Sequence, residues 1–178
     1  MNPVSDDLLL AAAQTAATLM GLLLVGVIFF ADAGMRALRS IGPEAGWYFR
    51  SGTRFVLLLY SFVLLLSLAQ IAFEPPWVAG LFAVTGLTLI VALGAFTRAA
   101  GALRGRLPRM HAASLWIAWP PVVALLAVPV VVDGAVPGRE PLLISMLIAG
   151  ALAFFYTASL VLLSFDLTAI SREIDGAE

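Results

Sequence analysis

The chain has 178 residues, of which 62% are hydrophobic and only 12% charged, with a mean hydropathy of +1.03 and a formal net charge of −1. Soluble domains carry roughly 25% charged residues, so this chain lacks the polar side chains needed to cover a globule in water, and lipid must solvate much of its surface. Cysteine is absent and there is one histidine, His111, which excludes disulfide scaffolds, thiolate catalysis and Cys-based metal sites. The near-neutral charge also excludes a globally basic nucleic-acid binder.

A bilayer core of about 30 Å takes roughly 20 apolar residues at 1.5 Å per residue. Five segments meet or approach that length: 8–31, 55–73, 78–96, 115–132 and 142–165. Together they predict an all-α polytopic membrane protein, a single bundle of five transmembrane helices. The first segment is too long for a signal-peptide core and has no basic residue before it; its first charges, Asp6 and Asp7, suit the positive end of a helix dipole. Nothing ends this helix sharply before Gly42-Pro43, which predicts a cytoplasmic extension of about two turns beyond the span. Trp47, Tyr48 and Phe49 then read as an interfacial aromatic belt leading into the second span.

Arginines set the orientation. Arg36, Arg39, Arg50 and Arg54 occupy the first loop, Arg98, Arg104, Arg106 and Arg109 the third, and Arg172 the tail, leaving Arg139 alone on the other side. By the positive-inside rule the N-terminus is outside and the C-terminus cytoplasmic, and five crossings are the count that satisfies this. The expected location is a bacterial inner membrane. The third loop, through Arg98, Arg104, Arg106 and Arg109, is a candidate surface for anionic lipid or a cytosolic partner.

No Asp, Glu, Lys, Arg or His falls near the centre of a span, which argues against proton pumping and intramembrane proteolysis, and no catalytic, cofactor or metal motif is present. Hydroxyls and amides remain at depth. Gln14 and Thr18 share one face of the first span; Tyr60, Ser67 and Gln70 share one face of the second; the fifth carries the small series Ser145, Ala149, Ala153 and Thr157. Such stripes serve either helix packing or a water-facing path, and Gln14, Thr18, Tyr60, Ser67 and Gln70 are the candidates for lining one. Glu74 and Asp133 are candidates for its outer mouth. Pro120 and Pro121 predict a kink in the fourth span, a candidate gate, because they withdraw the donors that would bond the preceding turn.

The stretch Ala16-Ala17-Thr18-Leu19-Met20-Gly21-Leu22-Leu23-Leu24-Val25, followed by an Arg-bearing loop and four more spans, resembles short bacterial membrane proteins some of which are labelled modulator of FtsH protease. That resemblance implies a regulatory partner in the membrane and transfers no site residues. The residues themselves point to a homo-oligomeric, non-enzymatic membrane protein without cofactors, either a pore subunit passing small ions or an accessory protein that binds another membrane protein such as a protease or transporter.

Overall fold

A computed structural model describes the backbone of residues 4–41, 43–102 and 109–175, with side chains at 4–27, 46–101 and 118–162. Those residues form five helices and no strand: α1 (Asp6–Ile41), α2 (Pro43–Ala72), α3 (Pro75–Ala102), α4 (Arg109–Asp133) and α5 (Arg139–Asp175). Four stretches are long and apolar enough to cross a membrane, Asp6–Val27, Gly46–Ala72, Pro75–Gly101 and Arg139–Leu162; in α4 the described apolar stretch is the shorter Ala118–Asp133.

The helix ends follow local chemistry. The Leu8 amide donates to Ser5 Oγ at 3.3 Å, so Ser5 caps α1, and Asp6 and Asp7 occupy its first turn. As expected from the absence of a breaker, α1 runs on to Ile41, and at 36 residues it is about 54 Å long, well beyond the hydrocarbon thickness. Prolines open α2 and α3, where a missing N–H costs nothing. Between α4 and α5, Gly134 takes the left-handed conformation (φ 81°) that ends a helix, and Asp133 Oδ2 accepts the Gly138 amide at 2.7 Å to set the turn.

The five helices close on one another in chain order, α5 returning to α1, and α2 also packs directly on α5. This makes α2 the hub: 56% of its spanning window is buried, against 22% for α1. One end of the core is aromatic. Tyr48 stacks on Phe96 (ring centroids 5.2 Å), Phe55 lies 5.8 Å from Phe96, and Tyr156 meets Phe55 and Phe96 edge-on. Gly52 permits this approach, since a Cβ there would sit 3.0 Å from Phe96 Cε2. Two sequence expectations change here. α2 begins at Pro43 instead of near residue 55, and Tyr48, expected in an interfacial belt, is buried against Phe96 while Trp47 stays exposed. The aromatic cluster offers Tyr48 more contact than a headgroup layer does.

Candidate functional site

The polar residues expected to line one path divide into two sets. Tyr60, Ser67 and Gln70 are buried on α2 where it meets α5. The Ser67 hydroxyl donates to Met146 Sδ at 3.3 Å, Gln70 Nε2 donates to the Leu66 carbonyl at 3.3 Å, and Tyr60 shares a hydrogen bond with Thr157 Oγ1 at 3.3 Å. The Ser67 and Tyr60 bonds join α2 to α5, the Gln70–Leu66 bond stays within α2, and all three side chains are buried in the monomer. Two acceptors are left over among the described residues: Gln70 Oε1 and Thr53 Oγ1 are buried without a hydrogen-bond partner.

Gln14 and Thr18 lie elsewhere. The face of α1 that packs inward is Leu9, Ala13, Ala16 and Leu23, whereas Gln14 and Thr18 are exposed on the opposite side of the helix. The monomer therefore does not bring the two polar sets onto one path. The outer stripe of α1 nevertheless has a regular pattern: Asp7, Ala11, Gln14, Thr18, Gly21 and Val25 recur at alternating steps of four and three, and all six are exposed. That is the 3.5-residue spacing with which one helix meets another along a seam. Gly21 touches nothing that would exclude a side chain, so its small size serves no contact inside the monomer. The Thr18 hydroxyl donates to the Gln14 carbonyl at 2.9 Å, while the Gln14 amide has no partner among the described residues.

At the end of the bundle that carries the α1 N-terminus, Arg139 binds two helices at once. Its Nη1 pairs with Asp6 Oδ1 at 2.7 Å, and its Nη2 donates to the Gln70 carbonyl at 2.9 Å near the end of α2. The sequence showed Arg139 only as the basic residue set apart from the rest; its isolation among Asp6, Asp7 and Glu140 is the signal that it has an acidic partner on its own side.

The mouth and gate candidates have separate placements. Glu74 is exposed at the α2–α3 corner, where its carbonyl accepts the Trp77 and Val78 amides at 3.0 and 3.3 Å and starts α3. Asp133 belongs to the α4–α5 turn. Pro120 is exposed and Pro121 half-buried; with Pro129 they lie inside α4 without ending it. A different proline has the visible consequence. Pro129 has no N–H for the carbonyl four residues back, Leu125, and that buried carbonyl accepts instead from the Ser145 hydroxyl of α5 at 2.6 Å. Arg98 is exposed toward the end of α3; Arg104 and Arg106, and the side chain of Arg109, lie outside the described residues. Among the described residues no group of three His, Asp or Glu is placed to hold a metal ion.

Comparison with protein-family models, with curated proteins and with solved structures gives no match. The resemblance to FtsH modulators thus gains no second line of support, and the functional reading rests on geometry.

Proposed function

We propose that the chain is a homo-oligomeric inner-membrane protein whose protomers meet through the outer stripe of α1, and that this seam forms a passive path for small ions between protomers. The observation that carries this reading is the exposed stripe of Asp7, Ala11, Gln14, Thr18, Gly21 and Val25. Gln14 stands eight residues, about 12 Å, into the helix from Asp6, a depth at which an amide facing hydrocarbon alone is unfavourable. Around a symmetry axis the stripe would place a carboxylate at the mouth, an amide and a hydroxyl below it, and Val25 as an apolar constriction. Tyr60, Ser67 and Gln70 become packing residues in this arrangement: the bonds of Tyr60 and Ser67 reach α5, and Gln70 is buried beside them.

The topology that accompanies the proposal has five crossings, the N-terminus outside and the C-terminus cytoplasmic. The distribution of Arg supports it, as does the length of α4: its 25 residues amount to about 38 Å even though three are Pro. A second reading, a non-conducting accessory protein that docks another membrane helix on the same stripe, is favoured by Val25 and Leu22, which make the inner half of the exposed face apolar.

The test uses purified protein in liposomes. Because the chain has no cysteine, Gln14→Cys introduces a single thiol, and oxidation should give a disulfide-linked dimer if α1 is the seam. Cation flux that falls with Gln14→Leu and persists with Ser67→Ala supports the pore. Cross-linked but silent protein rejects conduction and leaves the accessory reading, and the absence of cross-linking rejects the α1 seam.

A further inference from the structure

Beside the packing face of α1 lies a second feature. α1, α2 and α5 together line a groove of about 410 Å³ open to the side of the bundle. Small residues give it room, Ala11, Ala12 and Ala16 on one wall and Gly150 and Ala151 on the other, larger aliphatic side chains such as Leu8 and Leu147 complete the walls, and Tyr60 and Val63 of α2 form the floor. The hydroxyls that border it have already given up their protons, Thr15 to the Ala11 carbonyl at 2.8 Å and Tyr60 to Thr157, whose own proton goes to the Ala153 carbonyl, so neither has a donor left for a polar occupant. From Leu8 to Leu19 it follows α1 for eleven residues, about 17 Å, close to the depth of one leaflet of a bilayer about 30 Å thick.

Its end at the membrane surface carries paired charge. Arg139 and Glu140 are consecutive at the start of α5 and flank the line that descends through Leu143 into the groove, one to each side by helical geometry. The Asp6–Arg139 ion pair crosses above the groove from α1 to α5. The remaining acids at this surface, Asp7, Glu74 and Asp133, make it unfavourable for an anionic lipid. A zwitterion matches it. We infer that the groove between α1 and α5 binds one acyl chain of a zwitterionic phospholipid with a primary-amine headgroup, the phosphate against Arg139 and the α5 N-terminus, the ammonium against Glu140. A primary ammonium donates hydrogen bonds to the carboxylate, whereas a quaternary ammonium has none to donate. Ala11 is the one residue that this groove shares with the α1 stripe; lipid retention is read without ion flux, so failure of this site and failure of conduction remain distinguishable.

The experiment is lipid retention measured by native mass spectrometry on protein taken from vesicles of equal parts phosphatidylethanolamine, phosphatidylcholine and phosphatidylglycerol. Wild type should retain the amine lipid with about two- to fivefold enrichment over the other two, the range a surface ion pair supports. Glu140→Gln, an exposed position that leaves packing untouched, should abolish the preference while still retaining lipid. Gly150→Leu, where an added Cβ meets nothing within 4 Å, should fill the groove and remove retention of every lipid. Equal retention of the three lipids by wild type, or an unchanged preference in Glu140→Gln, overturns the proposal. An Ala151→Cys variant that oxidises to a dimer also overturns it, by placing a second copy in the groove.

Discussion

Replacing Ser145 by Ala removes the hydroxyl that bonds the Leu125 carbonyl and leaves that carbonyl buried with no donor, because Pro129 has none to give. The hydroxyl is fully buried and its bond at 2.6 Å is short, so the loss belongs to the upper part of the range for interhelical hydrogen bonds in membranes, about 1–2 kcal/mol. Its weaker contact with the Pro141 carbonyl at 3.2 Å lies within α5 and contributes little. The decisive version is a double-mutant cycle. In Pro129→Ala the residue at 129 regains an amide aimed at Leu125, the carbonyl is satisfied within α4, and Ser145→Ala should then cost about 0.5 kcal/mol or less. Reversible unfolding in mixed micelles, followed by far-UV circular dichroism, measures all four corners. A coupling of about 1 kcal/mol is expected. Equal costs of Ser145→Ala in both backgrounds would refute the idea that the hydroxyl stands in for the missing amide.

Further substitutions probe the other contacts. Gly52→Val should destabilise by about 1–3 kcal/mol in the same unfolding assay, since even a Cβ would lie 3.0 Å from Phe96 and 3.2 Å from Leu160; an unaffected transition would mean that α2, α3 and α5 are less tightly joined there. Gln70→Met conserves volume and removes an acceptor that is buried without a partner, so stability should stay the same or rise by up to about 1 kcal/mol; a loss above that would reveal an unseen partner for Oε1. Arg139→Gln should speed amide exchange in the first turns of α1 and at the end of α2, while global stability changes by about 1 kcal/mol or less because the Asp6 pair is about half exposed; unchanged exchange would show that Arg139 does not hold these ends.

Much of the architecture was legible in the sequence because lipid imposes a severe rule: backbone polar groups must be satisfied locally, so long apolar runs in a chain of this kind become helices. All five predicted segments are helical, and Pro43, Pro75 and Asp133-Gly134 stand at the ends of helices as their chemistry suggests. Helical spacing also grouped Gln14 with Thr18 and Tyr60 with Ser67 and Gln70 correctly as faces. It did not say which face points inward, because in a membrane the outside of a bundle is as apolar as its core and hydropathy carries little direction. The low burial of α1 and the high burial of α2 come from their positions in the ring, and position is a tertiary property.

The same limit governs the fine chemistry. Pro129 announces an unsatisfied carbonyl from sequence alone, but Ser145 lies 16 residues further on a different helix, and only the packing of α4 on α5 identifies it as the donor. Arg139 and Asp6 are separated by 133 positions and meet only because α5 closes the ring on α1. Composition and charge placement thus determined that this is a membrane protein built of helices, with its charge kept away from the centres of the apolar spans. Tertiary structure decided that Gln14 faces out and Ser67 faces in, and that a groove lies between α1 and α5, because those outcomes depend on which helices are neighbours, a matter on which a one-dimensional pattern of apolar residues is degenerate.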